Sequence, residues 1–311
     1  MRKNIEYSLG LQKSILVIAI GLIFGLSACS GQSQDGSGGK LSVVATTTIV
    51  ADVVRQIGGD MIILDVLLPV GTDPHTFTPT PQDLAKISQA DLLFMNGMGL
   101  ETFLETYLEN ATEDAYLVEV SEGGKVLETS TGHELGGTDP HTWTDPGNVQ
   151  VWVENIKDAL SELDPSNAES YHANAESYQS RLDELDAWIV SMVAQIPPEK
   201  RKIVTDHEAF AYFAQRYGFT QIGTIIPGTS TLSEPSAEDM AALEDLIRTE
   251  NVRAIFVDTA ANPMLAERIS GDTGVKIELI YSASLTEVGG EAGSYIDYMR
   301  YNVTTFVEAL K

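Results

Sequence analysis

The sequence predicts an α/β protein of two lobes with parallel-rich sheets, joined by one long backbone helix, with a metal site in the interlobe cleft. Three observations carry that prediction. Apolar runs of strand length alternate with amphipathic runs of helical length through both halves of the chain, the pattern of covered parallel sheets. One regular stripe near the middle is long enough to connect two lobes. Three of the five histidines stand in turn chemistry at element ends instead of on an apolar face. At 311 residues the chain also exceeds the usual domain of roughly 100–150, so two domains are expected.

The N-terminal lobe is expected over residues 41–163. Leu41 to Ala45 is a short apolar run, Ile49 to Ile57 has helical spacing and stops at Gly58-Gly59, and Ile62 to Leu68 is a second strand broken by Pro69 and Gly71. Thr80-Pro81 reads as an N-cap followed by proline at the first helical position, opening a helix to about Ala90. Asp91 to Met95 and Tyr116 to Val120 are strands flanking a helix over Leu100 to Asn110, and Asp145-Pro146 opens a further helix. Residues 164–197 form the linking helix. Tyr171, Ala175, Tyr178, Leu182, Leu185, Ile189, Met192 and Ile196 lie on one stripe of it, and His172, off the stripe, belongs to a solvated face. Residues 198–311 form the C-terminal lobe: strands at Lys202 to Thr205, Thr220 to Ile226, Ala254 to Val257 and Lys276 to Ile280. Helices at Phe210 to Tyr217, Ser236 to Glu250, Leu265 to Ser270 and Tyr295 to Leu310 complete the alternation.

The first residues read as a processing signal. Arg2, Lys3 and Lys13 precede an apolar run, Ile15 to Leu26, too short to span a bilayer as a resident helix. Leu26-Ser27-Ala28-Cys29 follows, like a bacterial lipobox, so residues 1–28 are expected as a lipoprotein signal peptide and Cys29, the one cysteine, as the lipidated mature N-terminus. Residues 29–40, rich in Gly, Ser and Gln, read as a tether that holds a soluble body outside the membrane. Removing Arg2, Lys3, Lys13 and Glu6, a net +2, takes the formal charge from −26 to −28. Such a surface repels phosphates, so nucleic acid is excluded as a partner, and it attracts cations at long range.

Asp73-Pro74-His75 returns as Asp139-Pro140-His141, and His207 follows the predicted strand at Lys202 to Thr205. Proline fixes its own φ and restricts its predecessor, so each histidine leaves its loop in a defined direction. Three neutral imidazoles bind zinc and leave a fourth position for carboxylate or water. His75 and His141 belong to one lobe and His207 to the other, which puts a shared ion between them.

With these residues in place the chain resembles the zinc- and manganese-binding lipoproteins that serve ABC importers, the group with a rigid helix between lobes. The resemblance covers nearly all of residues 41–311. It rests on Ile57-Gly58-Gly59-Asp60, Gly71-Thr72-Asp73-Pro74-His75, Asn96-Gly97-Met98-Gly99-Leu100-Glu101, Asp139-Pro140-His141-Thr142-Trp143, His207-Glu208-Ala209-Phe210 and Glu234-Pro235-Ser236. It implies a monomeric solute-binding protein, not an enzyme, extracytoplasmic and lipid-anchored, that delivers a divalent transition metal to an ABC permease in the cytoplasmic membrane. His75, His141 and His207 carry over as metal ligands. Manganese-selective relatives commonly have glutamate where His207 stands, so the resemblance points to Zn2+ over Mn2+ as the transported ion, in line with imidazole's preference.

The chain departs from the family at the fourth ligand. Relatives usually have aspartate where Ala283 stands here, between Ser282 and Ser284; water or Asp258 would take its place, with Glu287 and Glu208 as poorer candidates. The loop at residues 122–138 holds His133 alone, where many zinc-specific relatives are histidine-rich. Two other classes fit the residues: a zinc-dependent hydrolase, since three histidines with an open position is also a catalytic arrangement, and a surface adhesin, which needs no motif. No His-Glu-x-x-His helix supports the hydrolase.

Overall fold

A computed structural model describes residues 39–108, 116–129 and 137–311. The expected signal peptide, Cys29 and His133 lie outside the described residues, as does all of the tether except Gly39 and Lys40. In the first lobe β1 (Leu41–Ala45), α1 (Thr48–Gly58), β2 (Ile62–Val66), α2 (Pro81–Gln89), β3 (Leu92–Met95), α3 (Glu105–Leu108), β4 (Leu117–Glu119) and α4 (Pro146–Leu163) follow one another. Then come α5 (Ala168–Val193), β5 (Lys202–Thr205), α6 (Ala211–Tyr217), β6 (Thr220–Thr224), α7 (Ala237–Thr249), β7 (Ala254–Asp258), α8 (Met264–Thr273), β8 (Lys276–Ile280) and α9 (Tyr295–Leu310).

The helix starts form where the caps are. The Thr80 hydroxyl accepts from the Asp83 N–H while Asp83 reaches back to the Thr80 N–H, with Pro81 needing no donor; Ser236 and Asp239 repeat this reciprocal box on α7. Asp145 caps α4 ahead of Pro146. Gly218, at φ +72°, ends α6 in the left-handed conformation that other residues resist.

The two sheets repeat one plan. Each is four-stranded and parallel, ordered β2-β1-β3-β4 and β6-β5-β7-β8. Successive side chains point to opposite faces, so Ile203 joins the central core while Val204 packs beneath α7 and α8; Val43 and Val44 divide likewise in the first lobe. The central core is continuous from Val43 through Trp152 and Leu182 to Phe306.

The long helix is shorter than expected at both ends: Pro165–Asn167 is a 3-10 turn, and 26 residues remain as α5, about 39 Å of rise. Its stripe is buried through Ile189, but Val193 is buried where Met192 is half-exposed. A strict 3.5-residue repeat drifts around a 3.6-residue helix, and by the last turn the buried face has moved on by one residue. His172 is exposed, as expected. The helix expected over Leu100 to Asn110 is reduced, among the described residues, to a 3-10 turn at Thr102–Leu104 and one turn of α3. The preceding Gly97, Met98 and Gly99 all have positive φ, which keeps the chain out of a helix until Glu101.

Candidate metal centre

In both sheets the order reverses beside the first strand, and the crevice at the carboxyl ends of such strands is where ligands gather. His207 follows β5 directly, Asp258 ends β7, His75 lies in the loop after β2, and His141 closes the connection from β4. The two Asp-Pro-His turns form alike. Asp73 Oδ1 accepts the His75 N–H at 2.9 Å and Asp139 Oδ1 the His141 N–H at 2.9 Å, each carboxylate folding the chain over its proline. Sequence reasoning assigned the direction of the histidines to proline and missed the aspartates, although both copies spell them.

The turns and β5 bring three imidazoles together. The Nε2 atom of His141 is 3.3 Å from that of His75 and 3.3 Å from that of His207. Ligands at about 2.0–2.1 Å from a tetrahedral ion are themselves roughly 3.3–3.4 Å apart, so these edges fit a shared metal. Among the described residues this is the group of His, Cys, Asp and Glu whose ligand atoms can meet on one ion, all within 4.8 Å of one another. Asp139 Oδ1 is also 2.8 Å from His141 Nδ1, so Nδ1–H donates to the carboxylate and Nε2 carries the lone pair. Asp206 Oδ1 lies 3.3 Å from His207 Nδ1, close enough for charge pairing but off-line for a hydrogen bond. Asp73 instead spends its second oxygen on the Thr231 hydroxyl of the other lobe.

Titration follows from this packing. Burial, then the two neighbouring rings, push the His75 pKa down to about 3, and burial with His207 holds His141 well below the usual range. Burial also opposes charge on His207, but Asp206 outweighs it and lifts that ring. His75 and His141 are thus held in the neutral form that ligates metal, whereas Asp206 favours a proton on His207 that a bound ion must displace.

Ala283 lines a cavity of about 340 Å³ together with His207, Asp206, Asp73 and Asp258. Asp258 does not join the imidazoles: Oδ2 accepts from Ser282 N–H and Oγ–H, and Oδ1 from the Ala260 N–H. It ties β7 to the Ser282 turn, the capping role rather than the ligating one. Glu208 and Glu287 also stand outside the group, Glu287 in a separate cleft with Arg55 and Lys86.

Behind His141 lies a network that sequence reasoning also missed. Glu101, fully buried, accepts from the Thr46 hydroxyl and the Asn96 N–H on Oε1 and from the Gly97 N–H on Oε2. Asn96 Nδ2 in turn donates to the carbonyl of Pro140, one residue before His141. Burial raises the Glu101 pKa to about 7 against the pull of those donors.

The family described as "ZnuA: Zinc-uptake complex component A periplasmic" matches residues 43–309. The chain belongs to that family. Among relatives of ZnuA type, the "Manganese-binding lipoprotein MntA" of Halalkalibacterium halodurans is 37% identical over 302 residues, 96% of this chain and 97% of its own length. The "Manganese ABC transporter substrate-binding lipoprotein PsaA" of Streptococcus pneumoniae is 36% identical over 304 residues, 96% of this chain and 98% of its own. A solved structure of the periplasmic zinc binding protein TroA from Treponema pallidum superposes with a TM-score of 0.80 at 30% identity, covering 88% of this chain and 99% of TroA. These relatives are named as binding components, not as enzymes. Two of these three names specify manganese and one specifies zinc, so they support the manganese alternative better than the expected zinc. Three nitrogens hold zinc more tightly than manganese at any such site, so ligand type reports intrinsic affinity and not the ion delivered.

Proposed function

We propose that the chain is the extracytoplasmic metal-binding lipoprotein of an ABC importer, and that it delivers Mn2+ to a permease in the cytoplasmic membrane. It acts as a monomer anchored through lipidated Cys29, with His75, His141 and His207 as ligands. The observation that carries the reading is that His141 Nε2 stands 3.3 Å from the Nε2 atoms of both His75 and His207, two edges of tetrahedral length drawn from two lobes, with the ligand atoms of all three within 4.8 Å of one another. The names of the manganese-binding relatives support the choice of cargo. Zinc is the second reading, favoured by the donor set and by the likeness to TroA.

Metal analysis of protein purified from its native host without added metal tests this. About one manganese per chain is expected in the parent and a large loss in His75→Ala, His141→Ala and His207→Ala. Zinc in place of manganese in the parent selects the second reading, and a parent without bound metal refutes both.

A further inference from the structure

We propose that Thr231, on the C-terminal lobe, is a positioning residue for metal retention: through Asp73, its hydroxyl holds the His75 turn of the other lobe in place against the ion. The proposal rests on the metal-binding reading and assigns what keeps one of its ligands from leaving.

The three imidazoles are not held alike. His141 and His207 are 0% and 2% exposed, and each has a carboxylate of its own, Asp139 or Asp206, beside ring Nδ1. His75 is half-buried, and among the described residues no carboxylate is within ion-pairing reach of its ring. Its support is the turn beneath it. Asp73 Oδ1 accepts the His75 N–H, and Asp73 Oδ2 accepts the Thr231 hydroxyl at 2.5 Å, a contact between residues 158 apart in the chain and on different lobes. Asp139 Oδ2, the corresponding oxygen of the second turn, is buried without a hydrogen-bond partner among the described residues, so the bridge belongs to the His75 turn and not to Asp-Pro-His as such. Thr231 lies in the loop between β6 and α7. Its neighbours Ser230 and Leu232 line one cleft with His75, while Asp73 and Thr231 line the cavity at Ala283. The bridge therefore stands beside the imidazole that solvent reaches. An ion leaves as its ligands part, and with His141 and His207 enclosed, His75 is the ligand free to part first. A hydroxyl on a carboxylate is a charge-assisted bond, strong enough to bias that step. Without it the loop keeps its tie to the other lobe at Gly71, whose N–H donates to Ser284 Oγ, but loses the one that bears on His75 through Asp73.

The test compares release of Mn2+, and in a second series Zn2+, from the loaded parent, Thr231→Val and Thr231→Ser, read as colour formation with an excess of a chelating dye. Thr231→Val keeps the shape without the hydroxyl and is expected to release metal about 10–100-fold faster, the effect falling on release more than on capture. Thr231→Ser returns the hydroxyl and is expected to recover most of the retention, a rescue that a packing role for the threonine methyl would not give. Should Thr231→Val fail to fold by circular dichroism, Thr231→Ala takes its place with the same expectation. Release from the folded variant at the parental rate overturns the proposal alone, as does a loss that falls on capture instead, or a serine variant that releases as fast as the one without a hydroxyl. A parent that captures neither ion overturns the metal-binding reading as well.

Discussion

His141 owes its tautomer to Asp139, whose Oδ1 receives both the ring Nδ1–H and the backbone N–H of the same histidine. Asp139→Asn keeps the size but exchanges a charged acceptor for a neutral one, so metal affinity is expected to fall about 10–100-fold while the fold persists, read by competition with a chelating dye. Glu101 acts one step further back. Its pKa is raised from 4.5 to about 7, so the folded state holds the proton more tightly than the unfolded chain. Its contribution to stability is full below pH 4.5 and lost as pH rises through 7, roughly 3 kcal/mol in all. Glu101→Gln removes this titration but sets an amide N–H against a backbone N–H in either orientation. Denaturant melts of metal-free protein are expected to show a loss of about 1–3 kcal/mol at pH 5 and a smaller difference from the parent at pH 8. A difference that grows with pH would refute the assignment.

Among the elements, α5 is where local pattern and tertiary role coincide. It packs against α1, α4 and α9, so one helix touches elements that precede and follow it in the chain. Leu182 and Leu185 sit at its middle with no exposed surface. Leu182→Ala is expected to cost about 2–5 kcal/mol in global stability through lost transfer energy and the cavity left behind. If α5 is a common brace, the unfolding transition stays single, checked by coincident fluorescence and circular dichroism melts. The 3-10 turn at Thr102–Leu104 follows the positive-φ run Gly97-Met98-Gly99, whose N–H at Gly97 is held by the Glu101 side chain.

In the molecule as a whole the lobes meet directly as well as through α5. Trp143 Nε1–H donates to the Ser282 carbonyl, Tyr212 Oη–H to the Asp139 carbonyl, and Tyr295 N–H to Asp52 on α1. These contacts tie the two lobes to one another in addition to α5. The acidic balance, −26 for the full chain and −28 without residues 1–28, attracts cations at long range. The association rate for Mn2+, by stopped flow with tryptophan fluorescence, is expected to fall as salt rises from about 10 to 150 mM, where the screening length shrinks from about 30 to 8 Å. A rate independent of salt would show that the acidity plays no part in capture.

Strands, helices, their caps and the three histidines were legible in the chain because each depends on neighbours within a few residues: the period of two or 3.6, Thr80-Pro81 at a helix start, Asp-Pro-His at a turn. The resemblance added the import role, and from His207 it pointed to zinc, where two of the three relatives named above specify manganese. What stayed hidden is long-range. Glu101 meets Thr46 across 55 residues, and Trp143 meets Ser282 across 139. Asp258 read as a possible ligand until its oxygens were seen to be occupied by Ala260 and Ser282. Such partnerships follow from the order of strands in each sheet, which local periodicity does not encode, because a strand's pattern says which face is buried and not which strand lies beside it.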